Sequence, residues 1–185
     1  MIDDVMLEAE EKMEQALEAS KRELASIRTG RANPSMFNPI LVDYYGAPTP
    51  LQQLAGITIP EARTVIVSPY DRSAMKAITT AIRESDLGVN PTDDGTIIRV
   101  TLPALTEERR RDYVKLARSR AEESRVQVRG IRGRSKKELE AIKKAGEAGE
   151  DDVMRAENEL DALTKRFVEA IDSALTAKEA ELLDV

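Results

Sequence analysis

Residues 106–144 read TEERRRDYVKLARSRAEESRVQVRGIRGRSKKELEAIKK, and this stretch decides the architecture of the chain. Apolar and small residues recur in it every three or four positions, at Val114, Ala117, Ala121, Ser124, Val128 and Ile131. Such spacing predicts a helix with one buried face. Thr106 is a suitable N-cap, and Glu107 and Glu108 place acids where they suit the helix dipole. An unbroken helix to Lys144 would be about 60 Å long.

The same stretch concentrates the positive charge of the protein. It holds 14 of the 28 Lys and Arg residues against 7 acids, whereas the whole chain has a net charge of −6. On a helical wheel one basic stripe lies about a quarter-turn from the apolar stripe. This stripe consists of Arg111, Arg118, Arg125, Arg129, Arg132 and Lys136. Segregated charge of this kind predicts a surface that binds a polyanion, and the excess of Arg over Lys favours phosphate.

A second interpretation of the charge run stays open. Glu122, Glu123, Glu138 and Glu140 could pair with basic neighbours three or four positions away and leave an ordinary solvated face. The unequal distribution of charge along the chain argues against a merely solvated face, because residues 145–185 carry 12 acids and 4 bases. RNA, recognised through phosphates, shape and 2′-hydroxyls, fits better than DNA, for which no binding motif is evident.

Two further helical segments flank this stretch. Residues up to Gly30 contain no Pro and no earlier Gly, and they are predicted to form one long helix. A third helix follows the turn at residues 146–149. The first apolar stripe is Met6, Met13, Leu17, Ser20, Leu24 and Ile27, and the third is Val153, Ala156, Leu160, Leu163, Phe167, Ile171, Leu175 and Leu182. Because each stripe is narrow, we expect the three helices to pack together as a bundle.

The chain between Gly30 and Thr106 has a different character. All eight prolines fall there, so no long helix can cross it. Runs rich in β-branched residues predict strands at 40–45, 56–59, 64–67 and 96–102, and a short helix is expected after Asp71. We therefore predict an α+β protein in which residues 1–30 and 106–185 form the bundle. Residues 31–105 form an inserted domain of a size that can fold by itself.

An inserted domain is joined to its host by two connections. Residues 31–34 leave the predicted bundle and residues 102–105 return to it. Paired short linkers can act as a hinge, and a rigid elbow is an equally good interpretation of the sequence.

Composition limits the chemistry that the chain can perform. It contains no His and no Cys, so the commonest general base, the commonest transition-metal ligand and thiolate zinc sites are all missing. There is no glycine-rich phosphate loop, and Asp93-Asp94-Gly95 is typical of a turn rather than of a calcium loop. We expect no catalytic residues, no metal, no cofactor and no enzyme activity.

No targeting or membrane segment is evident in the sequence. The first residues lack the basic start and apolar run of a secretory signal, and no window of about 18 apolar residues occurs. The basic stretch also lacks Trp and Phe, which would anchor a helix at a membrane surface. We expect a cytoplasmic monomer that does not bind membranes.

Four blocks of sequence carry a family resemblance. Residues 26–34 (SIRTGRANP), 42–51 (VDYYGAPTPL), 85–91 (SDLGVNP) and 105–110 (LTEERR) closely resemble the ribosome recycling factor family. The resemblance extends to residues 178–182 (KEAEL), and so covers essentially the whole chain.

The resemblance implies an L-shaped α+β protein, with a three-helix bundle and a small inserted β/α/β domain. It implies a translation factor that binds the large ribosomal subunit after termination and, with elongation factor G and GTP, dissociates the ribosome into subunits. An alternative function is that of a helical RNA-binding scaffold or RNA chaperone with no specific role on the ribosome.

The basic stripe and the resemblance together give the expected site residues. The expected rRNA-binding residues are Arg28, Arg31, Arg110, Arg118, Arg125, Arg129 and Arg132, and the expected hinge residues are Gly30, Arg31, Pro103, Ala104 and Leu105. One block departs from the family pattern, which often reads Val-Arg-Asn-Ile-Arg-Arg. Here Gly130 and Gly133 replace its Asn and its last Arg. Glycine inside a helix costs about 1 kcal/mol relative to Ala, so we expect a locally softer helix.

Overall fold

The computed structural model describes residues 1–183, which form two compact units. The helical unit consists of Met1–Arg28 and of the chain from Glu107 onward, and the mixed unit consists of Thr29–Thr106. The α-helices of the described residues are α1 (Ile2–Ala25), α2 (Leu51–Leu54), α3 (Met75–Arg83), α4 (Glu107–Lys144) and α5 (Glu150–Leu183). The strands are β1 (Leu41–Tyr44), β2 (Ala47–Pro50), β3 (Ala55–Glu61), β4 (Thr64–Pro69), β5 (Thr92–Asp93) and β6 (Ile98–Thr101).

The helical unit is a bundle of α1, α4 and α5. Its core is built from the predicted stripes, with Met13, Val128, Leu160 and Ile171 almost completely buried. Val114, Met6, Leu163 and Leu175 of those stripes are only half-buried. The prediction of a long three-helix bundle with an inserted α+β domain is confirmed.

The first helix is shorter than its sequence predicts. It ends at Ala25, where the backbone N–H of Ser26 donates to the carbonyl of Arg22, and Ser26 Oγ donates to the carbonyl of Glu23 at 2.6 Å. The side chain of Ser26 therefore satisfies a carbonyl that a further turn of helix would have used. Gly30 has a φ of 80°, which no helix residue adopts. The prediction of a helix as far as Gly30 is wrong.

The fourth helix runs unbroken from Glu107 to Lys144, as predicted, despite its two internal glycines. It ends in a Schellman motif, in which Gly146 N–H donates to the carbonyl of Lys143 and Glu147 N–H donates to that of Ile142. Gly146 takes the left-handed conformation that this motif requires, with a φ of 66°. The chain can then reverse into α5.

The mixed unit combines a β-hairpin with a separate antiparallel sheet. The strands β1 and β2 form the hairpin, and the sheet has the strand order β3-β4-β6-β5. Its core includes Val65, Val67, Ile98 and Val100 of the sheet together with buried residues of α3. The predicted runs correspond to β1, β3, β4 and β6. The short elements α2, β2 and β5 were missed, and at β2 the residues Pro48 and Pro50 argue against a strand.

A hydrogen-bonded group fixes the hairpin to the start of α3. Tyr44 Oη donates to Asp71 Oδ2 at 2.9 Å, and both the backbone N–H and the hydroxyl of Ser73 donate to Asp71 Oδ1. The bonds from Ser73, followed by that from Tyr44, lower the pKa of Asp71 below its ordinary value. The bond to Asp71 in turn raises the pKa of Tyr44.

Both connections of the mixed unit run beside the turn between β3 and β4. The backbone N–H of Ala32 donates to the carbonyl of Ala62 at 2.6 Å, and that of Leu102 donates to the carbonyl of Arg63 at 2.7 Å. The two connections therefore lie side by side, as expected for an inserted domain. Within the described residues no helix combines the length and apolar character needed to cross a membrane.

Candidate nucleic-acid interface

The middle of α4 is the part of the chain in which Lys and Arg residues are least interrupted by acids. Residues 124–137, here called the central segment, contain six Lys and Arg residues and no acid. The cations are Arg125, Arg129, Arg132, Arg134, Lys136 and Lys137. The segment is helical throughout, so the direction of each side chain is set by its position along the helix.

One side of α4 carries arginines that form hydrogen-bonded ion pairs with acids of α5. Arg118 Nε donates to Glu179 Oε1 at 2.6 Å, Arg125 Nε donates to Asp172 Oδ1 at 2.6 Å, and Arg132 Nε donates to Asp161 Oδ1 at 2.7 Å. We call Arg118, Arg125 and Arg132 the seam arginines. They are seven residues apart, which keeps them on one edge of the helix. The structure therefore gives three of the expected RNA-binding residues a partner within the protein.

Arg125 is the most enclosed of the seam arginines. Its side chain is 18% exposed, and its Nη1 also lies 2.7 Å from Glu122 Oε2. Burial by itself would lower its pKa, but the hydrogen bonds to Asp172 and Glu122 outweigh burial and raise it. Arg125 is thus a permanent cation that joins α4 to α5, and its place fits a structural role better than a contact with RNA.

The other cations of the central segment are much less engaged. The nearest carboxylate to Arg129, that of Glu122, lies 3.6 Å away, and the Arg129 side chain is 56% exposed. Among the described residues, Arg134, Lys136 and Lys137 have no carboxylate within 4 Å. Lys136 is half-buried, while Arg134 and Lys137 are exposed. We call the side of α4 that carries these four cations (Arg129, Arg134, Lys136 and Lys137) the outward side. It can bind an external anion without first breaking a short internal ion pair.

Local ion pairs of the kind expected for a solvated face occur mainly in the first half of α4. Glu107 pairs with Arg111 at 2.6 Å, and Glu123 pairs with Arg120 at 3.5 Å. Glu138 and Glu140 make no ion pair within the described part of the chain. An ordinary solvated face with local ion pairs, the alternative interpretation, therefore describes residues 107–125 well but not residues 126–137.

A shallow groove lies near the start of α4, with a volume of about 510 Å³. It is lined by Glu107, Arg110, Arg111, Val114, Lys115, Arg118, Glu179 and Leu183. Arg110, an expected RNA-binding residue, is half-buried here, and its buried Nε has no hydrogen-bond partner among the residues that the structure describes. The groove thus combines four cations with two acids.

The remaining expected residues lie at the two connections. Arg28 is exposed at the end of the first part of the helical unit, whereas Arg31 is exposed in the mixed unit. Of the expected hinge residues, Gly30 adopts a positive φ of 80° beside Leu105, whose Cγ would lie 3.3 Å from a Cβ at position 30. Pro103 and Ala104 are exposed and belong to no helix or strand. The expected RNA-binding set is therefore divided between two units.

The partners on α5 were not foreseen. The acids Asp161, Asp172 and Glu179 belong to the acidic C-terminal region, whose excess of charge was recognised without assigning it a contact. The signal in the sequence is the seven-residue step of the seam arginines, which is the spacing of residues that face a neighbouring helix.

Three comparisons with known proteins agree with this architecture. The sequence profile of the family described as ribosome recycling factor matches residues 20–183. Curated ribosome-recycling factors from Kineococcus radiotolerans and Beutenbergia cavernae are 63% and 62% identical over 185 residues, which is the whole of each chain.

Solved structures with the same fold belong to the same family. A solution structure of the ribosome recycling factor has a TM-score of 0.76 and 41% identity, and the match covers 100% of this chain and 98% of that one. A second match, with a TM-score of 0.65, 41% identity and 99% coverage of both chains, comes from models of the T. thermophilus ribosome recycling factor and E. coli elongation factor G bound to the E. coli post-termination complex. On the strength of these full-length matches, the chain belongs to the ribosome recycling factor family.

Proposed function

We propose that this protein binds rRNA of the large ribosomal subunit through the outward side of α4. Together with elongation factor G and GTP, it then dissociates the post-termination ribosome into subunits. The observation that carries the proposal is the central segment, which has six cations and no acid. Four of these cations, Arg129, Arg134, Lys136 and Lys137, make no short ion pair with the described residues. RNA offers closely spaced phosphates that such a surface can neutralise, and released counterions favour the complex.

The partnership with elongation factor G is supported by the family. A relative that is 41% identical over 99% of both chains has been placed with elongation factor G on a post-termination complex. Two proteins this similar over their whole length are expected to share a binding surface. In this scheme elongation factor G hydrolyses GTP, and this protein acts by binding to the ribosome.

The experiment is a sedimentation assay of post-termination ribosomes. We expect subunits to appear only when this protein, elongation factor G and GTP are all present, and the double change Arg129→Ala and Arg132→Ala to reduce splitting strongly. The matched control is Arg155→Ala with Lys165→Ala, which removes the same charge from exposed positions on α5. Splitting that is unchanged by the first pair would contradict the site assignment.

The alternative function, a general RNA-binding scaffold or chaperone, predicts a different outcome. Such a protein would bind many structured RNAs with similar affinity and would not need elongation factor G for any effect on ribosomes. Binding to unrelated RNA as tight as binding to the large subunit, with no splitting, would favour it.

We also propose that the two connections form a hinge at Gly30, Arg31, Pro103, Ala104 and Leu105. The support is that the returning connection, residues 102–106, has no regular structure, and that both connections run side by side. Because the chain has no cysteine, Lys76→Cys and Lys144→Cys allow one dye to be attached to each unit. We expect the energy transfer between the dyes to change when elongation factor G and GTP are added to the ribosome-bound protein. An unchanged signal during efficient splitting would contradict a hinge.

A further inference from the structure

The side chain of Arg134 lies over a glycine on the outward side of α4. A Cβ built on Gly130 would lie 3.9 Å from Nη1 of Arg134. The two residues are four positions apart, so they share a face of the helix, and helical side chains lean toward the N-terminus. The arginine therefore folds back along the helix, and its guanidinium would be in van der Waals contact with a Cβ at position 130.

The guanidinium of Arg134 has no acidic partner in the described part of the chain. No carboxylate of the described residues lies within 4 Å of it, and the residue is exposed. The seam arginines Arg125 and Arg132, by contrast, each hold an acid of α5 at 2.6 or 2.7 Å. The N–H donors of Arg134 are therefore directed to solvent in the part of α4 that contains no acid.

Neither internal glycine of α4 is needed for the fold. Gly130 and Gly133 do not have a positive φ, and a Cβ at Gly133 would meet nothing within 4 Å. Glycine is a poor helix former, so packing and backbone geometry give no reason for its presence. What Gly130 does provide is a bare stretch of helix surface on which the Arg134 side chain rests.

We infer that Arg134 is a further rRNA-contacting residue, and that Gly130 positions it by keeping side chains larger than a methyl group away from the helix surface beside its guanidinium. The inference rests on the proposed function, because it assigns a residue of this chain to the same RNA-binding surface. A guanidinium held in this way presents a planar set of N–H donors to a phosphate, which suits two parallel hydrogen bonds. The side chain also loses less freedom on binding, because the helix surface already restricts it.

The test is the dissociation constant for isolated large ribosomal subunits, measured at several salt concentrations. We expect Arg134→Ala to weaken binding about tenfold and to reduce the slope of log affinity against log salt by nearly one. The control is Arg155→Ala, which removes an exposed arginine from α5 and should leave binding within about twofold.

A second variant separates the position of Arg134 from its charge. Gly130→Leu keeps the arginine but adds side-chain atoms beyond Cβ beside its guanidinium. We expect binding several-fold weaker even though Leu favours the helix. Circular dichroism and a urea midpoint no lower than that of the wild type would show that the variant is folded.

Two results would overturn the inference while the wild-type protein binds the subunit. One is an Arg134→Ala variant that binds like Arg155→Ala, and the other is a Gly130→Leu variant with wild-type affinity. A wild-type protein that does not bind the large subunit would overturn the proposed function itself, and this inference with it.

Discussion

Arginines only a few residues apart on α4 have different surroundings, and their roles follow from these. Arg125 is 18% exposed between two carboxylates, whereas Arg129 is 56% exposed with its nearest carboxylate at 3.6 Å. A phosphate approaching Arg125 would have to displace Asp172 and Glu122, while at Arg129 it meets a hydrated guanidinium. The helical wheel placed both residues on one basic stripe, but it could not show which of them face α5, because that depends on how the helices pack.

Gly133 gives a prediction at the level of a single residue. Gly133→Ala should stabilise the protein by about 1 kcal/mol, because Ala is the better helix former and its Cβ meets no other atom within 4 Å. The measurement is the urea unfolding midpoint at neutral pH.

The control for Gly133 is a glycine at the end of the same helix. A Cβ at Gly146 would also meet nothing within 4 Å, but its φ of 66° strains any residue with a side chain. Gly146→Ala should therefore lower the midpoint. Two variants that move the midpoint in the same direction would contradict this explanation.

At the level of the elements, α5 restricts which cations of α4 an RNA can use. Its acids hold the seam arginines along one edge, and its overall negative charge repels phosphates from that edge. We therefore expect Arg129, Arg134 and Lys137 to contribute more to the proposed RNA-binding surface than Arg125, which is enclosed between two carboxylates. Charge counts along the sequence showed the acidic and basic regions, but not that they meet in ion pairs between helices.

Releasing one seam arginine should strengthen binding to RNA. Asp161→Asn removes a negative charge and frees Arg132, so we expect several-fold tighter binding to large ribosomal subunits at low salt. Because both partners are substantially exposed, the loss of stability should stay below about 1 kcal/mol. Glu159→Gln removes the same charge two positions away on α5, and an equal gain in that variant would show that the release of Arg132 is not the cause.

The start of α3 should be sensitive to acid. The pKa of Asp71 is lowered in the folded protein from its ordinary value of 3.8 by the bonds from Ser73 and Tyr44. The ionised carboxylate therefore stabilises the mixed unit above about pH 4, and this stabilisation is lost as the pH falls through the lowered pKa.

The variant Asp71→Asn tests this dependence on pH. We expect it to unfold at lower urea than the wild type at pH 7, and the difference to become smaller at pH 3. Asp43→Asn, at an exposed position of β1, is the matched control. A difference for Asp71→Asn that is as large at pH 3 as at pH 7 would contradict the explanation.

At the level of the whole molecule, much of the architecture could be predicted from the sequence. The long stripes of α4 and α5 and the prolines between residues 34 and 103 determine a bundle with an inserted domain. The features that were missed depend on particular contacts. The strand β2 contains two prolines and pairs with β1, and α1 ends at Ala25, where the Ser26 side chain bonds back to the carbonyl of Glu23.

The candidate site was predictable as a region but not residue by residue. The basic region of α4 and the family resemblance both pointed to this candidate surface, since both depend on residue type and order. The division of its arginines between internal and external partners arises from the register of α4 against α5. This register depends on how many core residues of both helices pack together. The residue pattern of one helix does not contain that information.

The central claim, that the outward side of α4 rests on large-subunit rRNA, can be tested by cryo-electron microscopy of this protein on a post-termination ribosome. We predict that the guanidinium groups of Arg129 and Arg134 lie within about 3 Å of rRNA phosphate oxygens, with Arg125 still bound to Asp172. A complex in which residues 124–137 face solvent, and the protein contacts the ribosome through another surface, would contradict the account.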